Sequence, residues 1–286
     1  MELGVVYPQI ELGGDPDAVR AIGRATEDLG YDYLLAYDHV VGAVHEGREP
    51  KLWGPYNERD PFHDPFVLFS YLAGMTERIG FATGVIILPQ RQTALVAKQA
   101  ADLDLLSGER LRLGVGVGWN YVEYDALGQD FTTRGKRANE QIDLLRQLWT
   151  GDVVEFEGRF DTVDRGNILP APKRQVPIWI GGFSDPAYRR GATVGDGFMF
   201  AGNRKRVDEA VGRLEHFAAE AGRDLTGFGR EWVMQASKLS IAEIGEQAAG
   251  WREAGGTHCS VVSMGRDLDS TEAHLDFFGQ VRAVLE

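Results

Sequence analysis

A chain of 286 residues with 43% hydrophobic and 10% aromatic residues holds enough apolar surface for one large core, which excludes a disordered polypeptide. Its net charge of -13 excludes general binding to nucleic acid or to anionic membranes, because both repel an acidic protein. One cysteine, Cys259, rules out an intrachain disulfide and a thiolate zinc cluster. The start "MELGVVYPQI" has no secretory pattern and no segment is long and apolar enough to span a bilayer, so a cytoplasmic protein is expected.

Short apolar runs rich in branched residues alternate with amphipathic stretches along the whole chain. In chain order, a strand over Leu3–Tyr7 precedes a helix over Pro16–Leu29, Tyr33–Ala36 precedes Pro65–Thr76, and Ile79–Gly84 precedes Thr93–Leu106. Leu111–Val117 with Arg134–Trp149, Ile178–Ile180 with Pro186–Val194, and Gly197–Phe200 with Arg206–Ala221 continue the series. Val233–Lys238 with Ile241–Glu253 and Thr257–Val262 with Thr271–Leu285 complete it. Several helices open on Pro or Asp, residues that suit a first turn. Eight such pairs predict an α/β fold, a (β/α)8 TIM barrel with insertion loops, as one domain over residues 1–286.

Two connections exceed what this scheme needs. The segment from Val40 to Asp64 is polar, proline-rich and aromatic, and it leaves the C-terminal end of the second strand, the face where barrels keep their active sites. A substrate lid is the reading, with Trp53, Tyr56 and Phe62 as candidate lining of an apolar pocket. The segment from Thr150 to Pro177 alternates like a hairpin and is expected to pack over the barrel or a partner subunit.

The strand C-termini form one constellation. It comprises Pro8 and Gln9, Asp38 and His39, Thr83-Gly84-Val85, Gly116 to Asn120, Gly181 to Ser184, Ala201 to Asn203, Ser237 and Lys238, and Ser263 and Met264. Apart from Asp38, His39 and Lys238 it is uncharged and glycine-heavy, a floor that suits a flat ring approaching the backbone. In "RLRLGVGVGWN" the spacing is G-x-G-x-G followed by Trp119, after the fourth strand, and not the G-x-G-x-x-G that opens a dinucleotide-binding helix. In "PIWIGGFSDPAYRRGA", Gly181-Gly182 ends a strand and Ser184 or Asp185 can cap a helix with Pro186 in its first turn. Free amides and the positive helix end then converge where a phosphate would sit.

"YDYLLAYDHV", "RIGFATGVIILPQRQTALVAKQAADLDLLSGERLRLGVGVGWNYVEYDALG", "EQIDLLRQLWTG" and "IWIGGFSDPAYRRGATVGDGF" together resemble the bacterial luciferase-like monooxygenases and flavin- or F420-dependent oxidoreductases, in family order. "GVGWN" and "EYDALG" look most like the F420-dependent branch. The resemblance implies a luciferase-like (β/α)8 barrel with F420, or alternatively FMN, at its C-terminal mouth and a small-molecule substrate, in a homodimer. It implies a non-proline cis bulge at Gly84-Val85 backing the ring, a phosphate at the Gly181-Gly182 turn with Phe183 and Ser184, and cofactor contacts from Asp38, Thr83, Gly116, Gly118, Trp119 and Asn120. The glycines would then clear space beside the cofactor. Asp38-His39 matches the Asp-His pair that assists hydride transfer in F420-dependent sugar-phosphate dehydrogenases, so both are candidate catalytic residues. Those enzymes carry a glutamate where this chain has Trp119, which sets a sugar-phosphate substrate in doubt.

His39 suits acid–base work because imidazole gives or takes a proton near neutral pH. His45, His63, His216, His258 and His274 show no ligand spacing, so no metal site is expected. Asn203 to Arg206, "NRKR", opens a helix near the mouth and could meet a cofactor phosphate or the acidic tail of F420. Two other classes compete with a redox enzyme: Schiff-base chemistry by Lys238 at a strand end, and a barrel that holds a cofactor without turnover.

Overall fold

Parallel strands covered by helices are buried on both faces, and the strand runs here behave that way: all four residues of Tyr33–Ala36 and all four of Ile178–Gly181 are buried. In the computed structural model, which describes residues 1–285, the strands are β1 (Glu2–Val6), β2 (Tyr33–Ala36), β3 (Gly80–Thr83), β4 (Ile86–Ile87), β5 (Leu111–Gly116), β6 (Val154–Glu157), β7 (Thr162–Gly166), β8 (Ile178–Gly181), β9 (Gly197–Ala201), β10 (Gly229–Gln235) and β11 (His258–Val262). The helices are α1 (Pro16–Asp28), α2 (Pro65–Ala73), α3 (Thr93–Ser107), α4 (Tyr121–Ala126), α5 (Arg134–Leu148), α6 (Asp185–Val194), α7 (Arg204–Glu220), α8 (Ile241–Glu253) and α9 (Thr271–Val284).

The sheet runs β3-β2-β1-β11-β10-β9-β8-β5, and pairing of β3 with β5 closes it into the expected (β/α)8 barrel. β4 continues β3 beyond a break and pairs with the end of β5, Ile86 opposite Val115 and Ile87 opposite Gly116. Alternation along each strand sorts side chains into two layers. Val6, Leu35, Ala82, Met199, Val233 and Val262 fill the interior, while Val5, Leu34, Phe81, Leu113, Ile180 and Val261 pack outward under the helices. Helix starts follow their capping residues: the Asp64 carboxylate accepts the Phe66 and Val67 amides ahead of α2, and Ser240 with Glu243 forms a capping box on α8.

Two expectations need correction. The seventh barrel strand is Gly229–Gln235, not Val233–Lys238, because its pairing with β11 ends at Gln235 opposite Val262. The chain then leaves the barrel, and Lys238 lies exposed in a turn. An exposed amine lacks the desolvation that makes a lysine nucleophilic, so the Schiff-base reading loses its residue. The short helix α4, just after the β5 glycines, was not among the predicted elements. The hairpin expected between Thr150 and Pro177 is present as the antiparallel pair β6–β7, anchored through its turn by Glu140, which accepts the amides of Arg159, Phe160 and Asp161.

Candidate active site

The mouth is built on the break between β3 and β4. The peptide Gly84–Val85 is cis, as the resemblance implied, and Val85 lies partly buried against the interior cluster. The neighbouring glycines fit around it: a Cβ on Gly116 would lie 2.5 Å from Val85 Cγ2, and one on Gly181 2.6 Å from Val85 Cγ1. Gly118, at φ +63, approaches Ile87 in the same way. Space expected beside a cofactor is therefore filled first by the protein's own bulge. Thr83 is fully buried, and its hydroxyl donates to the Gly114 carbonyl at 2.7 Å.

Asp38 and His39 follow β2 and face different partners. Asp38 is buried; one oxygen accepts the Ile87 amide at 3.0 Å and the other the Arg91 guanidinium at 2.7 Å. Arg91 also holds Asp64 at 2.8 Å, so a single cation ties the end of β2, the bulge and the start of α2. Burial pushes the Asp38 carboxyl above the usual carboxylate range, against the opposing pull of Arg91.

His39 sits in an aromatic box. Its ring meets Phe62 at 4.7 Å, Tyr56 at 5.2 Å and Trp119 at 5.7 Å between centroids, all edge to face. Phe62 and Tyr56 come from the long segment after β2, which also covers Trp119: a Cβ on Gly54 would lie 2.2 Å from that indole, and the His45 ring stands 5.9 Å away. Trp53, expected in the pocket, is instead 70% exposed with Lys51 over its ring.

Sequence reasoning missed Glu123. The carboxylate is 1% exposed and stands 3.7 Å from His39 Nδ1. Its Oε1 accepts the amides of Val40 at 2.5 Å and Val41 at 3.0 Å, and its Oε2 accepts Gln90 Nε2 at 3.1 Å. Burial raises its proton affinity, but His39 and these donors outweigh it and hold the carboxyl below its ordinary range. Asn120 explains how Glu123 gets there: its Oδ1 caps α4 by accepting the Val122 and Glu123 amides, and its Nδ2 donates to the Val41 carbonyl. The Asn at the end of "GVGWN" was the available signal, since it is a favoured cap residue with a glutamate three positions on.

Across β3 and β5 from His39 lies the glycine turn after β8. Gly182 has φ +151, and Ser184 stands at the N-cap of α6 without a side-chain cap bond; Pro186 has no N–H and the Ala187 amide donates to the Ser184 carbonyl at 2.9 Å, so in the first turn it is the Asp185 amide that can turn to a ligand. Phe183 is 60% exposed under the Arg206 guanidinium at 4.7 Å. Asn203 caps α7 beside it by accepting the Arg206 amide. The described residues contain no cluster of three or more His, Cys, Asp or Glu that could hold a metal ion, and no helix long and apolar enough to cross a membrane.

The luciferase-like monooxygenase family matches residues 1–255. The chain belongs to that family. Its members are F420- or flavin-dependent oxidoreductases and monooxygenases, and this luciferase-like chain is an oxidoreductase of the same kind. It is 29% identical over 240 residues to an F420-dependent glucose-6-phosphate dehydrogenase of Nocardia farcinica, covering 80% of this chain and 67% of that one. It is 31% identical over 219 residues to the pyrimidine monooxygenase RutA of Allorhizobium ampelinum, covering 73% and 57%. Among solved structures, an F420-dependent secondary alcohol dehydrogenase in complex with an F420-acetone adduct superposes with a TM-score of 0.79 at 17% identity, over 100% of this chain and 99% of that one, a likeness of fold.

Proposed function

We propose that this luciferase-like protein is an F420-dependent oxidoreductase that moves a hydride between the deazaflavin and a small neutral alcohol or carbonyl compound. The observation that carries this reading is His39, boxed by aromatic rings at the barrel mouth with a buried carboxylate at 3.7 Å from Nδ1. Oxidising an alcohol removes a proton from oxygen as hydride leaves carbon, and the reverse reaction returns it, so a held imidazole meets the need.

The residues fit the cofactor. The Val85 bulge, backed by Gly84, Gly116 and Gly118, offers an uncharged wall for a flat ring. The turn of Gly181, Gly182, Phe183 and Ser184, with the Asp185 amide at the start of α6, offers backbone N–H groups for its phosphate. Lys205 and Arg206 at the start of α7 suit an acidic tail, a feature of F420 and not of FMN. When bound, the deazaflavin supplies the carbon that takes or gives the hydride. His39 exchanges the proton with the substrate oxygen. Trp119, Tyr56 and Phe62 exclude water, and Asp38 and Asn120 fix the elements on which His39 and Glu123 stand. The rings around His39 are those of Tyr56, Phe62 and Trp119, a lining that suits an uncharged substrate better than a sugar phosphate.

Parallel absorption and fluorescence titrations with F420 and FMN test the reading. Saturable F420 binding, tighter than FMN, is expected. Micromolar FMN affinity with undetectable F420 binding overturns it in favour of a flavin monooxygenase.

A further inference from the structure

We infer that Glu123 is a positioning residue for His39, fixing the proton on Nδ1 so that Nε2 faces the reaction with a free lone pair. The inference rests on the proposed role of His39 as acid or base. At 3.7 Å the contact is longer than a hydrogen bond, so it acts through charge. A lone pair on Nδ1 would point at a buried anion, whereas an N–H there points its positive end at it. Neutral imidazole carries one proton on either nitrogen, and this field selects Nδ1.

The carboxylate is itself over-determined. Its oxygens take three donors, two of them the amides of Val40 and Val41 that directly follow His39, so Glu123 grips both the ring and the backbone behind it. Asp38 is paired with Arg91 and does not compete. Of the other groups around the ring, Phe62 and Trp119 carry no charge, and Tyr56 has a phenol held neutral by burial. Glu123 is thus the anion that faces His39.

Glu123→Gln isolates the charge. Its amide oxygen can still accept the Val40 and Val41 amides, and Gln90, whose Oε1 has no partner, can turn that oxygen towards the new amide nitrogen. The first measurement needs neither variant activity nor cofactor: nitrogen-15 NMR of histidine-labelled full-length protein at alkaline pH, with the His39 signal assigned by its loss in His39→Gln. The proton is expected on Nδ1, and a neutral ring protonated on Nε2 overturns the inference. In Glu123→Gln the Nε2–H tautomer is expected to rise. With the cofactor that the titrations identify, kcat is expected to fall about tenfold or more while KM and cofactor affinity stay within about threefold. Wild-type tautomer ratio or wild-type kcat in that variant overturns it. Should neither F420 nor FMN bind, the proposed function fails while the tautomer still decides this point.

Discussion

The two ends of the barrel use similar residues to opposite effect. At the N-terminal end the Arg112 guanidinium lies between the rings of Tyr33 at 4.2 Å and Trp179 at 4.4 Å, and donates to Glu231 at 2.9 Å. Glu231 is fully buried and also accepts the hydroxyls of Tyr33 and Ser260, both at 2.8 Å. Glycines make room there too: a Cβ on Gly229 would lie 1.9 Å from the Trp179 ring, and one on Gly4 2.3 Å from that of Tyr33. At the C-terminal end glycines clasp Val85, but the polar groups are arranged differently. The Glu123 carboxylate stands 3.7 Å from one nitrogen of the His39 ring, and Ser184 at the start of α6 makes no side-chain cap bond. A glycine-rich strand end therefore does not mark a site by itself.

The largest expected effect breaks the closed end. Glu231→Ala strands a guanidinium among aromatic rings and removes the acceptor of two buried hydroxyls, and such a loss costs about 3–5 kcal/mol. Urea denaturation should show it, with cofactor affinity of the folded fraction unchanged. A wild-type midpoint would mean that Arg112 is held by its rings alone.

At the open end the loss should fall on rate. His39→Ala removes general acid–base help and should slow turnover by about 100-fold or more. Cofactor affinity should stay within about tenfold, a change below about 1.4 kcal/mol. Near-normal single-turnover rates at saturating cofactor and substrate would remove His39 from the chemistry and favour oxygen chemistry on a bound flavin.

The clasp around Val85 offers a smaller effect. Gly116→Ala places a methyl into the Val85 side chain, and overpacking of this kind costs about 1–3 kcal/mol. Combined with Val85→Ala it should recover most of that stability, as read by thermal melting. If the double variant is no better than the single one, the glycine serves something other than the bulge.

Much of this was legible in the sequence, and the failures share a cause. Periodicity reports on neighbours along one element, and the eight strand–helix pairs carry it strongly. The resemblance located the cis bond at Gly84-Val85. Glu123 escaped because α4 is six residues long, too short for a periodic signal, and because its partner lies in a distant loop. Lys238 was misplaced because an apolar run does not say where its neighbour strand ends. That the glycines of "GVGVG" pack against Val85 and Ile87 was not legible either, since a sequence shows only that a side chain is missing, not which atoms fill the gap.

A buried histidine outside the mouth gives the smallest test, and it separates a structural imidazole from the one assigned to chemistry. His274 on α9 is fully buried, with Nδ1 2.9 Å from the Ser263 hydroxyl and the Leu268 backbone carbonyl as an acceptor for the ring. Burial pushes its proton affinity down from the ordinary value of 6.5. The native state then keeps the ring neutral where the unfolded chain already binds a proton, so stability rises with pH across that window. The contribution is full above pH 6.5 and is lost as the pH falls from there towards the lower native value, at no more than about 1.4 kcal/mol per pH unit. Urea midpoints measured from pH 7.5 down to 5 should decline more steeply for wild type than for His274→Asn, whose amide can still meet Ser263. Turnover of the variant should stay at the wild-type value. Parallel declines would show that His274 takes up its proton without cost to the fold, the Leu268 carbonyl offsetting its burial.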